Sequence, residues 1–266
     1  MLTAIWRQPI RLLLLLLFVT AAGCRLVPRT GPSSEQLADA RRLSNLGLSA
    51  SDSGDLLRAE GLLEQAVQQC PTDIDARKHY AQVLWDRGEK MAAVNQIGEA
   101  LALSPGDIDL CIDGGRMYLD LGLLDDAERL ADEAVRTVPR SSAAWHLHGQ
   151  VALARGRPVD ALADLQHSLA FEADNREVLL ETAEVYRQLN RPKRALATLA
   201  ILEETYGPNQ VPAEVLALEG LAQESLGRRL DAAESYRAAV AKGDAPQQAA
   251  ERLAAIEADG AGTLRR

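Results

Sequence analysis

The chain has 266 residues, with 25% charged side chains, 4% aromatic side chains and a formal net charge of −9. This balance argues against nucleic-acid binding, because phosphate recognition needs clustered Lys and Arg. A composition rich in Ala and Leu and poor in aromatic residues favours helices over sheets. The three cysteines, at positions 24, 70 and 111, have neither zinc-finger nor redox CxxC spacing.

The first 24 residues have the pattern of a targeting segment. Arg7 and Arg11 supply positive charge, an apolar run follows over residues 12–19, and small residues fill 20–23 before Cys24. The apolar stretch is shorter than the roughly 20 residues that a membrane-spanning helix needs. We therefore predict cleavage of residues 1–23. An ordinary secretory signal with an incidental Cys, or an uncleaved short anchor, are the alternatives.

The small residues directly before Cys24 resemble the lipobox of bacterial lipoproteins, although Ala21 stands where that family usually has Leu. The resemblance implies cleavage before Cys24, lipidation of its sulfur and acylation of the new N-terminus. Several acyl chains anchor firmly where one does not. Arg25, in place of the Asp that retains such proteins at the inner membrane, favours the outer membrane, with the domain facing the periplasm. Residues 24–33 then form a short tether.

The rest of the chain carries a repeat with a period of 34 residues. Three ladders of residues keep this step in phase, and such a period predicts an array of helix–turn–helix units. The ladders are Gly54, Gly88, Gly122, Gly156 and Asn190; Ala59, Ala93, Ala127, Ala161 and Ala195; and Pro71, Pro105 and Pro139, interrupted by Ala173.

The ladders fix the phase of each unit. The Gly or Asn should close the first helix in a left-handed conformation, the Ala should sit where two helices cross, and the Pro should end the second helix. Good N-caps precede the first helices at Asp73, Asp107, Ser141 and Asn175, and Ser33 with Gln36 has the spacing of a capping box. The predicted units are 34–73, 74–107, 108–141, 142–175, 176–209 and, after a slip of three residues, 213–246. A capping helix at 247–258 and a flexible tail at 259–266 follow.

The array resembles the tetratricopeptide repeat family. Unit 4 carries Trp145, Gly149, Gly156, Ala161 and Leu165 at the family's positions, and unit 6 repeats the pattern with Gly220, Gly227, Ala232 and Tyr236. The resemblance implies an all-α, right-handed superhelical solenoid of about six units. In this family the first helix of each unit lines a concave groove that binds proteins.

Catalytic signatures are absent from the sequence. It has no P-loop, GxSxG or HExxH motif. His146 and His148 are two residues apart, so on a helix they point in different directions. We predict no enzymatic activity, no metal, no cofactor and no small-molecule substrate.

The family resemblance assigns the groove residues by their position in each first helix. Trp85 is the strongest candidate partner anchor, with packing against the neighbouring unit as the alternative, whereas Trp145 is expected in the core. The predicted groove residues are Lys78, His79, Gln82, Trp85, Ile112, Arg116, Leu119, His146, Gln150, Leu153, Leu180, Glu184 and Arg187.

The sequence thus predicts a membrane-anchored scaffold of the bacterial cell envelope, with a protein segment bound in the groove. The combination of six repeats and a lipid anchor is similar to pilotins, which help assemble type IV pilus secretins. A self-assembling structural repeat protein and a regulatory subunit of a cell-envelope enzyme are the alternatives.

Overall fold

A computed structural model describes residues 33–207 and 210–263, with side chains through Asp259. The predicted signal peptide 1–23, the lipidation site Cys24, tether residues 25–32 and the last residues 264–266 lie outside the described residues.

The described chain is all-α, as predicted, with thirteen helices and no strand. Consecutive helices pair into six antiparallel units, and the last helix packs on the sixth unit. The helices are α1 (Ser34–Asp52), α2 (Leu56–Gln69), α3 (Ile74–Asp86), α4 (Lys90–Leu103), α5 (Ile108–Asp120), α6 (Leu124–Thr137), α7 (Ser142–Ala154), α8 (Pro158–Phe171), α9 (Arg176–Gln188), α10 (Pro192–Glu204), α11 (Ala213–Ser225), α12 (Arg229–Ala241) and α13 (Gln247–Thr263).

Local side-chain chemistry sets where the first helix begins in units 1 to 5. The side chains of Asp73, Asp107, Ser141 and Asn175 each accept a hydrogen bond from a backbone N–H in the first turn. The capping box is also present, since the Ser33 N–H donates to Gln36 Oε1 over 2.8 Å and the Gln36 N–H donates to Ser33 Oγ over 3.2 Å. These bonds satisfy N–H groups that have no partner within the helix.

The turn inside each unit confirms the Gly ladder. Gly88 has a φ of +84°, and Asn190, at the rung without a glycine, has a φ of +55°. Asn190 is the one residue other than glycine with positive φ in the described part of the chain. The left-handed conformation strains most side chains but is tolerated by Asn, so the sequence keeps the turn geometry when it loses the glycine.

The core runs along the stack where the two helices of each unit cross. The ladder alanines are fully buried, and large side chains pack beside them. In unit 6 the two helices approach so closely that a Cβ on Gly220 would lie 2.5 Å from the Tyr236 ring. A small residue on one helix therefore makes room for a large one on its partner.

The C-terminal helix corrects one prediction. Instead of a flexible tail from residue 259, α13 continues to Thr263. Leu253 and Ile256 pack against the cluster around Tyr236, and the Asp259 carboxylate accepts from Arg229 over 2.6 Å. These contacts hold α13 against unit 6.

None of the helices in the described ranges combines the length and apolar composition that crossing a membrane requires.

Candidate partner-binding groove

The first helices of the units line one common face of the stack. Neighbouring first helices contact each other directly, as α5 does α7 and α9 does α11, whereas no second helix makes a comparable contact with the next in the described chain. The stack therefore curves toward the first helices, and their exposed side chains form the candidate groove.

A cavity of about 420 Å³ lies at the C-terminal end of this groove, and we call it the C-terminal cavity. Most of its lining comes from α9, α11 and the start of α13, and Leu153 of α7 and Tyr236 of α12 complete it. Its lining is Leu153, Glu177, Leu180, Glu181, Glu184, Val185, Gln188, Glu214, Ala217, Leu218, Leu221, Tyr236, Pro246, Gln248 and Ala249.

The floor of the C-terminal cavity is apolar. Leu153 and Leu180 line it, as the sequence predicts for groove residues, while Ala217 and Leu218 come from the sixth unit. Sequence reasoning missed these two because it ended the groove at unit 5. The signal was available, because Ala217 and Leu218 stand at the repeat positions that Lys78 and His79 occupy in unit 2.

Tyr236 forms the back of the floor and is fully buried. Its hydroxyl donates to Glu224 over 3.0 Å. Burial, together with that carboxylate, raises the pKa of the Tyr236 hydroxyl. Tyr236 therefore stays a neutral, rigid wall of the cavity.

Four carboxylates surround this apolar floor. Glu184 accepts two hydrogen bonds from Arg187, over 2.8 and 2.6 Å. Glu181 lies 3.0 Å from His146 Nε2 and accepts from Gln150 over 2.7 Å. The other two, Glu177 and Glu214, are exposed and have no ionic or hydrogen-bond partner in the described part of the chain.

His146 does not lie open in the groove, contrary to the prediction. It is only 2% exposed, and Glu181 of α9 lies over the imidazole, 3.0 Å from its Nε2. Possible ligand atoms of His146, Glu177 and Glu181 lie within 4.8 Å of one another, which is a donor set that a divalent cation can use. The hydrogen bonds that His146 and Gln150 make with Glu181 satisfy this carboxylate without an ion.

The N-terminal half of the groove contains a smaller depression, which we call the N-terminal depression. It has a volume of about 250 Å³, and both signs of charge contribute to it. Close by, Lys78 forms an ion pair of 2.9 Å with Asp113. Part of the charge in this half of the groove is therefore neutralised within the protein. The lining residues are Gln82, Trp85, Asp113, Arg116, Met117 and Asp120.

Trp85 is partly open to the groove and partly packed against the core. Its ring lines the N-terminal depression and also packs, half-buried, against the core cluster of Ala81 and Leu84. Lys90 Nζ lies 4.8 Å from the ring centroid, which places a cation over the aromatic face. The indole is therefore held in position before any partner arrives.

The remaining predicted residues separate into open and covered positions. Ile112 is a correction, since it is 8% exposed and packs with Leu130 and Ala144 where the next unit covers it. Leu119 is partly buried beside the cluster that contains Leu147. His79 lines a separate open depression near the N-terminus, where burial lowers its pKa.

Comparisons with known proteins agree with this architecture. Two family models, both described as tetratricopeptide repeat, match residues 44–108 and 112–176 and residues 152–217. Mouse tetratricopeptide repeat protein 33 is 24% identical over 199 residues, which are 72% of this chain and 74% of that protein.

Solved structures show the same fold at low identity. PilW, titled a widely conserved type IV pilus biogenesis factor, has a TM-score of 0.72 and 18% identity over 82% of this chain and 97% of that one. PilF of Pseudomonas aeruginosa has a TM-score of 0.69 and 19% identity over 85% and 100% of the two chains. A tetratricopeptide repeat protein of Parabacteroides merdae has a TM-score of 0.64 and 19% identity over 86% and 88%.

The repeat ladders, the left-handed turns and the matches to more than half of the chain lead to one assignment. The chain belongs to the tetratricopeptide repeat family.

Proposed function

We propose that this protein is a lipid-anchored scaffold of the bacterial cell envelope whose groove binds a segment of another envelope protein. The C-terminal cavity carries the binding part of the proposal. Its lining presents the partly exposed Leu153, Leu180 and Leu221 to a depression of about 420 Å³ that no part of the described chain fills, and apolar depressions of this kind are typical ligand sites.

The fold supports a scaffold role rather than a catalytic one. Tetratricopeptide repeats are in general protein-interaction modules. Two of the four carboxylates at the cavity are joined in hydrogen bonds or ion pairs within the protein, Glu184 with Arg187 and Glu181 with His146 and Gln150. Similarity to a type IV pilus biogenesis factor supports a client among envelope assembly proteins, as fold-level analogy.

The anchor part of the proposal rests on the sequence around Cys24. Small residues at 21–23, the apolar run before them and Arg25 after Cys24 are the features that support lipidation and outer-membrane retention. An anchor raises the effective concentration of the groove near membrane-bound clients. The short tether of residues 24–33 would hold the groove close to the membrane surface.

Groove binding is tested by crosslinked capture from envelope fractions, comparing the wild type with a Leu153→Ser, Leu180→Ser variant. The matched control is Leu57→Ser, Leu230→Ser, at side chains that are 72% and 85% exposed outside the cavity. We expect the cavity variant to lose the captured protein and the control to retain it. Equal capture by both variants would contradict groove binding.

The anchor is tested separately with Cys24→Ser. We expect this variant to lose labelling by radioactive palmitate and to leave the membrane fraction, while its helical content stays unchanged because residue 24 precedes every described helix. Membrane retention without label would instead support an uncleaved N-terminal anchor.

A further inference from the structure

Of the four carboxylates that line the C-terminal cavity, two are paired within the protein and two are not. Glu177, Glu181 and Glu184 follow each other at spacings of four and three residues on α9, so they share one helix face. Glu214 on α11 adds a fourth carboxylate from the neighbouring first helix. No Lys or Arg is among the lining residues.

Two of these four carboxylates are already engaged within the protein. Arg187 neutralises Glu184, and His146 and Gln150 hold Glu181. Glu177 and Glu214 have no partner among the described residues, and both are exposed, Glu177 on α9 and Glu214 on the neighbouring first helix α11. Two unpaired negative charges therefore flank an apolar floor.

The chemistry of an occupant follows from this arrangement. An apolar side chain gains by filling the floor at Leu180 and Leu218, because it leaves water. A Lys or Arg beside it gains by pairing with Glu177 or Glu214, whereas an acidic neighbour would be repelled. The N-terminal depression lacks this one-sided charge, because Arg116 lies among its acidic residues.

We infer that the C-terminal cavity selects a cationic amphipathic segment of the partner, in which Leu- or Phe-type side chains enter the floor and Lys or Arg residues pair with Glu177 and Glu214. This inference rests on the proposed function and adds the partner's chemistry to it. The segment has the form of an amphipathic helix or short peptide docked in a groove, with apolar anchors and flanking charges.

The test is a phage-display selection of random 16-residue peptides against residues 25–266, which retain every described helix and its packing. Selected peptides are synthesised and titrated against two double variants. The cavity variant carries Glu177→Gln and Glu214→Gln, and the control variant carries Glu204→Gln and Glu234→Gln. The second pair removes the same two charges from exposed positions outside the cavity, so it controls for net charge.

We expect the selected peptides to carry Lys or Arg next to apolar residues. Loss of two exposed ion pairs should weaken binding by about tenfold in the cavity variant, with less than about a twofold effect in the control. Added salt should weaken the wild-type complex more than that of the cavity variant.

Three results would overturn the inference, and they separate it from the proposed function. Neutral or acidic peptides that bind the wild type but not Leu153→Ser, Leu180→Ser would preserve the groove and refute its charge preference. No peptide sensitive to that leucine variant would refute both. Binding of Zn²⁺ at His146, Glu177 and Glu181 that displaces the peptides would make the carboxylates a metal site instead.

Discussion

The two halves of the groove are built from the same repeat but differ in how their charged side chains are paired. In the N-terminal half, Lys78 pairs with Asp113, and Arg116 lies among the acidic residues of the N-terminal depression. In the C-terminal half, Glu177 and Glu214 border an apolar floor without a cation among the lining residues. The repeat therefore determines where the groove lies, and the residues at its variable positions determine in which half unpaired charges remain for a partner to bind.

The largest expected effect comes from the floor of the C-terminal cavity. Tyr236→Ala removes a fully buried ring against Gly220, so it should lower the free energy of unfolding by about 3–5 kcal/mol. Urea unfolding followed by circular dichroism measures this loss. Tyr236→Phe, which removes only the hydrogen bond to Glu224, should cost about 1 kcal/mol. A similar cost for both variants would mean that the ring does not pack as described.

Trp85→Ala tests the N-terminal half in the same assay. The ring is half-buried against the core cluster, so the expected loss in the free energy of unfolding is about 2 kcal/mol, below the value for a fully buried aromatic. Gln82→Ala, at an exposed neighbour in the same depression, serves as the control with little effect. An unchanged midpoint for Trp85→Ala would contradict the packing of the indole against the core cluster.

His148 lies at the junction between the two halves and predicts a pH dependence. Its Nδ1 lies 2.8 Å from Asp164 and its Nε2 lies 3.1 Å from Asp132, on the helices that flank α7. The hydrogen bond with Asp164 raises the His148 pKa; burial opposes this, and the Asp164 charge and Asp132 reinforce it. The charged imidazole donates to both carboxylates, so it stabilises the fold.

Because this pKa is raised on folding, the stabilisation is complete below the ordinary His pKa of about 6.5 and is lost as pH rises through the folded value. We expect the wild type to lose about 1 kcal/mol relative to His148→Gln as pH rises from about 6 to about 9. Thermal melts of both proteins across that range measure the difference. A difference that stays constant with pH would contradict the charged bridge.

The smallest effects contrast single carboxylates from the two halves. Asp113→Asn breaks the pair with Lys78 and should cost up to about 0.5 kcal/mol. Glu177→Gln removes repulsion from Glu181, four residues along the same helix, but it also removes a favourable negative charge from the first turn of α9, so the two effects should largely cancel. The urea midpoint should therefore fall for Asp113→Asn and stay nearly unchanged for Glu177→Gln. An equal fall for both variants would remove the proposed contrast between the halves.

Much of the fold could be predicted from the sequence because equivalent positions of each unit adopt the same backbone geometry. The left-handed Asn190 and the N-cap Asn175 follow from local backbone chemistry. Gly47, Gly149 and Gly220 each pack against the side chain sixteen residues later, at 63, 165 and 236. In unit 3, Leu147 of the next unit fills the space at Gly115 instead.

The site was harder to predict, because exposure in a solenoid depends on how the next unit packs. His146 and Ile112 occupy groove positions in the repeat, yet the adjacent first helix covers both. Trp145, expected in the core, is instead partly exposed, with its ring 4.5 Å from His167 in a stack and its N–H donating to Pro139. The pairing of Glu184 with Arg187 depends on rotamers that spacing alone does not specify.

The central claim is that a partner binds the C-terminal cavity, and site-specific photocrosslinking in cells tests it most directly. A photoreactive amino acid is placed at Leu180 in the cavity, at Gln82 in the N-terminal depression, or at the exposed Leu230 as a control. The account predicts a discrete protein adduct at position 180 and none at 230, with a weaker adduct or none at 82. An adduct at 82 or 230 without one at 180 would contradict it.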